Sequence, residues 1–92
     1  MNKIFKYHIS PGQILIDAYE DTKIISTGVD PQGDLCIWAI VNPENPPKKI
    51  EILCVGTGWD LPEFTDKTYY LQFIGTVKHN IYMWHIFEKI NL

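Results

Sequence analysis

No arginine occurs in this chain: all eight basic residues are lysines, scattered except for Lys48-Lys49, against eleven Asp and Glu. The absence removes the side chain that grips phosphate and guanine bidentately, and a net charge of -3 leaves no basic stripe, so nucleic-acid binding is not expected. The acidic excess is also too small for a mimic of DNA. Cysteine is limited to Cys36 and Cys54, with no CxxC pair. These read as reduced, buried thiols without an adjacent His or Lys to activate them, although a disulfide becomes possible if their strands place them opposite each other. Serine is limited to Ser10 and Ser26, outside any G-x-S-x-G elbow, and neither HxH nor HExxH occurs. No metal, cofactor or nucleophilic catalyst is therefore expected. No apolar run reaches membrane-spanning length, and the lysines in Met1-Asn2-Lys3-Ile4-Phe5-Lys6 interrupt what would be a signal peptide's core, so neither membrane association nor export is expected. Convincing 3.6-residue periodicity is missing throughout, which argues against helices.

What the chain has in quantity is apolar and aromatic surface. Hydrophobic residues make up 46% of its 92 positions, with three Trp, five Tyr and four Phe, enough for one packed domain over residues 1–92 and more aromatics than a small core requires. A chain of this length buries only about two-thirds of its unfolded surface. Modest stability and a homo-oligomer follow as expectations.

Leu35-Cys36-Ile37-Trp38-Ala39-Ile40-Val41 is the organising stretch, uncharged and bounded by Asp30-Pro31-Gln32-Gly33-Asp34 and Asn42-Pro43. Its length and β-forming residues specify a strand, and its lack of a polar side predicts a central position covered on both faces. Lys3–Ile9 reads as an edge strand with Phe5, Tyr7 and Ile9 inward and Lys6 and His8 outward. Ser10-Pro11-Gly12 is a turn, and Gln13–Ala18 a strand with Ile14 and Ile16 inward. Lys23–Val29 is expected to pair with the central strand through a bulged hairpin closed by Gly33. After the proline-rich Asn42–Pro47 loop, Lys49–Val55 places Ile50, Ile52 and Cys54 on one face. The break Gly56–Pro62 continues to Lys67, with a short helical turn possible over Leu61–Asp66. Thr68–Val77, alternating at Tyr69, Leu71, Phe73 and Val77, and Ile81–Phe87 form a final hairpin through Lys78-His79-Asn80. About seven short antiparallel strands predict a mostly-β fold, a compact β-sandwich or small barrel.

Several pieces in order resemble a family of small, mostly phage-encoded proteins known as a domain of unknown function. They are Ile4-Phe5-Lys6-Tyr7, Lys23-Ile24-Ile25-Ser26, the central stretch with Asn42-Pro43, Gly56-Thr57-Gly58, Phe73-Ile74-Gly75-Thr76 and Trp84-His85-Ile86-Phe87-Glu88. Where the family tends to carry a Pro-Lys-Gly-Ala-like turn this chain has Tyr19-Glu20-Asp21-Thr22, and where a His commonly follows the Gly-Thr-Gly it has Trp59. The resemblance implies a phage or prophage origin and supplies no reaction.

Gly56-Thr57-Gly58-Trp59 is the sharpest candidate site, extended to Asp60. Two glycines permit an anion-binding nest, Thr57 adds a hydroxyl, and Trp59 offers a face on which a base can stack. The plainer alternative is a tight exit from the preceding strand with Trp59 as a lid on the core. His85, flanked by Trp84 and Ile86, reads as a structural histidine bonded to backbone or a carboxylate, and His8 and His79 as surface residues. Asp60, Glu63 and Asp66 form an acidic loop without EF-hand spacing, suited to solvent or a basic partner. The expectation is a non-enzymatic binding protein in the host cytoplasm that inhibits a bacterial antiviral defence. It would sequester a nucleotide-like ligand or cover a defence protein; the alternative is a virion or assembly role through oligomerisation.

Overall fold

The computed structural model describes residues 1–61 and 68–92. Seven strands occur in the order β1 (Lys3–His8), β2 (Gly12–Tyr19), β3 (Lys23–Val29), β4 (Leu35–Val41), β5 (Pro47–Gly56), β6 (Tyr69–His79) and β7 (Tyr82–Asn91). They form two antiparallel sheets, β1-β4-β3 and β2-β5-β7-β6, stacked as an open sandwich of 40 × 38 × 16 Å. The expected all-β fold is thus resolved in favour of the sandwich. The helical turn expected over Leu61–Asp66 falls mostly outside the described residues, as do Glu63 and Asp66.

The core is an aliphatic layer drawn from both sheets: Leu35 and Ile37 of β4 meet Ile16 of β2, Ile50, Ile52 and Cys54 of β5, and Trp84 and Ile86 of β7. Period-2 alternation produces it, since Ile50, Ile52 and Cys54 share one face, as do Trp84 and Ile86. Ile37, Ile52 and Ile86 are the largest side chains fully removed from solvent. Truncating one to Ala costs about 2–5 kcal/mol by analogy with buried aliphatics elsewhere. Cys36 and Cys54 are free and buried, and they lie in different sheets, so no disulfide joins them.

β4 is central, as its sequence requires, but the expectation of cover on both faces needs correction. Only one face of a strand in a two-layer fold meets the other sheet. On the opposite face Cys36 is capped by the Asp30 side chain, while Trp38 and Ile40 are half-buried. β6 corrects the expected single alternation. Ile74 is an extra residue between Phe73, paired with Phe87, and Gly75, paired with Ile86. This bulge puts Phe73 on the outer face, 57% exposed, and returns Ile74 and Val77 to the core. Beside it β3 and β6 approach so closely that a Cβ on Gly75 would stand 2.8 Å from Thr27 Cγ2. Strand ends also shift: β5 begins at Pro47, β6 runs to His79 and β7 to Asn91. The final hairpin therefore turns at Asn80-Ile81, with Asn80 at φ 59°.

The registers send all the polar novelty to one end. His8 lies opposite Cys36, Val29 opposite Leu35, Gly56 opposite Trp84 and His79 opposite Tyr82. The β1–β2, β3–β4 and β6–β7 turns and the exit from β5 consequently gather there. His79 Nε2 donates to the Gly33 carbonyl at 2.8 Å and ties the two sheets together at that end.

Candidate functional site

At this gathered end the exit from β5 is a single turn. Trp59 N–H donates to Gly56 O at 3.1 Å, and Gly58 takes φ 88°, a conformation in which a Cβ is strained. The Trp59 N–H is thereby spent on the turn and is unavailable to an anion nest. Gly56 is required for a different reason: its missing Cβ would meet Trp59 Nε1 at 2.9 Å. The indole lies over that gap and packs edge-on against Trp84, with centroids 5.3 Å apart and planes at 87°. Trp59 takes the position of a lid on the core. One side covers the core, and 50% of the residue remains exposed. Thr57, Gly58 and Asp60 are exposed beside it, and Gly56 is buried.

Two clefts flank the Trp59 ring. One, of about 570 Å³, runs between Gly56, Thr57 and the start of β7 at Ile81–Trp84. The other, of about 300 Å³, lies against Val55, His85, Leu61 and Phe87. Ile81, Tyr82 and Met83 are 85%, 59% and 43% exposed. An isoleucine at a hairpin tip is poorly suited to solvent, and together with Trp59 it forms an apolar rim that the sequence reading did not include. Alternation in β7 was visible in the sequence, but the neighbourhood of Gly56 and Trp84 requires the β5–β7 register.

His85 lies on the other side of the same turn. Its Nε2 is 2.8 Å from Thr57 Oγ1 and its Nδ1 is 3.1 Å from Thr76 Oγ1. The expected backbone or carboxylate partner is replaced by two hydroxyls. A neutral imidazole donates from one nitrogen and accepts at the other, so one threonine accepts and the other donates. Thr57 is thus fixed by His85, and the loop is anchored to the sheet at both Thr57 and Trp59.

The second cluster of this end is centred on Asp30, whose side chain is fully buried. Its Oδ1 accepts the Gln32 and Asp34 N–H groups at 3.0 and 2.9 Å, closing the β3–β4 hairpin. Its Oδ2 accepts Lys6 Nζ at 2.8 Å. The Lys6 ammonium, then the Asp34 N–H, hold the carboxyl far below the usual carboxylate range despite burial. The same contact raises the Lys6 pKa. Cys36, expected to lack a neighbouring His or Lys, has both at hand through β1. Even so, burial first and the Asp30 charge second push its thiol up to about 11, so it is not primed as a nucleophile. His8, Asp30 and Cys36 bring ligand-type atoms within 4.8 Å of one another. Their separation in sequence hid this group, which only strand pairing assembles. His8 and Asp34 also line a cleft of about 350 Å³ that reaches His79 and Trp84.

A family model described as a domain of unknown function (DUF7352) matches residues 1–92, and the chain belongs to that family. Neither the curated proteins nor the solved structures gave a match.

Proposed function

We propose that this DUF7352 member is a non-enzymatic binding protein whose contact surface is the Gly56–Asp60 turn together with the Ile81–Met83 rim. The observation that carries the reading is Trp59, anchored on Trp84 yet half-exposed between two clefts. A large aromatic that is fixed in place and still accessible loses little entropy on contact, which is the property of an interface anchor. The partner favoured is a protein surface rather than a nucleotide-like ligand. Among the described residues no lysine lines either cleft beside Trp59, and phosphates would go uncompensated there. Binding is favoured over catalysis because His85 is held by two hydroxyls, with no carboxylate hydrogen-bonded to it among the described residues to orient it as a general base.

The biological setting is a phage-encoded inhibitor that covers a bacterial defence protein in the host cytoplasm. The phage resemblance of the ordered motifs supports it, and two free thiols suit a reducing compartment. No helix among the described residues is long and apolar enough to cross a membrane. The second reading, assembly through a homo-oligomer, draws on the exposed apolar rim alone.

Native mass spectrometry of the tagged protein from bacteria undergoing infection tests the proposal. A host protein that co-purifies with wild type and is lost with Trp59→Ala is the expected result. A retained small molecule would replace protein binding with sequestration. Partner-free multimers would replace it with assembly.

A further inference from the structure

The Asp30 cluster brings three metal-ligand atoms, one each from His8, Asp30 and Cys36, within 4.8 Å of one another. We propose that His8, Asp30 and Cys36 form a three-ligand site for a divalent ion of the zinc class, with the fourth position open to water on the side of the exposed Asp34. Tetrahedral zinc with bonds of about 2.0 Å to N or O and 2.3 Å to S holds its ligand atoms roughly 3.3–3.6 Å apart. His8 Nε2 is 3.4 Å from Asp30 Oδ2, and Cys36 Sγ is 3.6 Å from the same oxygen. Asp34 Oδ2 lies 3.7 Å from His8 Nε2. These separations come from two strands, β1 and β4, and the β3–β4 hairpin rather than from one flexible segment, so the spacing is built into the fold.

The surroundings support the same assignment. Asp30 and Cys36 are buried, and the two backbone N–H bonds to Asp30 Oδ1 fix the carboxylate while leaving Oδ2 directed at the ligand set. His8, 62% exposed in its side chain and lining the adjoining cleft, provides the way in. One nitrogen, one carboxylate oxygen and one thiolate suit zinc better than calcium or magnesium, which take oxygen alone.

Lys6 occupies the cation's place in the structure described, with Nζ 2.8 Å from Asp30 Oδ2. Its side chain is one-third exposed, at 34%, and its flexible stem can carry the ammonium out to water. Metal entry is then an exchange: the ion binds, Lys6 leaves Asp30, and the Cys36 thiol proton passes to solvent. The site alternates between a lysine-held and a metal-held form, and Lys6 sets the affinity.

Titration of the full chain with Co2+, read by absorption and then displaced with Zn2+, tests this. The expected result is a thiolate-to-cobalt charge-transfer band in the near ultraviolet that Zn2+ abolishes. Cys36→Ser should remove the band. His8→Ala, at an exposed position that the core does not need, should weaken binding roughly 10- to 100-fold. Lys6→Met, which keeps the stem and removes the charge, should tighten it about tenfold. Absence of the band in folded wild type, or a band unchanged by both His8→Ala and Lys6→Met, would overturn the assignment. If Cys36→Ser does not fold, the other two variants decide.

Discussion

The two ends of the sandwich are built by opposite means. At the end that carries the chain termini, contacts join loop backbone to loop backbone or to exposed side chains. Glu20 N–H donates to Pro46 O at 2.9 Å, and Asn45 Nδ2 donates to the Glu20 carbonyl at 2.9 Å. The Met1 ammonium reaches Glu44 across an exposed pair worth little. At the other end side chains do the joining: Asp30 with Lys6, His79 with Gly33, His85 with two threonines, and Trp59 with Trp84. The first end closes loops. The second holds specific groups in fixed places while leaving several exposed, which is what a recognition surface requires and loop closure does not.

The sharpest break of this comparison is Asp30→Ala. It removes Lys6's partner and two hairpin bonds at once, so a fall in Tm on the order of 10 °C is expected by thermal denaturation. The pH dependence has a defined sign. The Asp30 carboxyl in the folded protein titrates below its ordinary 3.8. Its contribution is therefore complete above that value and drains away as the pH falls below about 4. The gap between wild type and Asp30→Ala should close on acidification; a gap that widens would place the stabilisation elsewhere.

Trp59→Ala is next. The indole's contact with Trp84 is worth about 1–2 kcal/mol in urea unfolding, and partner affinity should fall at least tenfold. At the terminal end Asn45→Ala should cost only about 0.5–1 kcal/mol, one exposed side-chain hydrogen bond, and leave partner binding untouched. If it weakens binding as much as Trp59→Ala, the division between the ends is false. The smallest effect is expected at Tyr7→Phe. The Tyr7 hydroxyl is buried without a hydrogen-bond partner among the described residues, and burial raises its pKa. Removing it should leave stability unchanged or raise it by up to about 1 kcal/mol.

The contrast also explains what the sequence made visible. Residues 35–41 announced a buried strand because continuous apolar residues between turn signals admit few alternatives. β3 and β4 were placed to the residue, since Asp30–Asp34 carries its own turn chemistry. The bulge at Ile74 was not legible: six hydrophobic residues in β6, Tyr69, Tyr70, Leu71, Phe73, Ile74 and Val77, permit either phase, and only packing beside β3 selects one. Thr57 and Trp59 were visible as a candidate turn, but their tethers to His85 and Trp84 were not. The Asp30 group was least legible of all. Lys6, His8, Asp30 and Cys36 carry no motif in one dimension, and β-pairing alone makes them neighbours.

The placement of the two cysteines, one in each sheet and both at 0% exposure, furnishes the molecule with a matched pair of internal clocks. An alkylating reagent can reach Cys36, on the outer face of β4, when the Asp30 cap swings aside, and Cys54, in the layer between the sheets, only when the sheets part. Single-cysteine variants followed by mass would then time the lifting of the cap and the parting of the sheets separately. Equal rates would mean that the cap moves only with the whole body.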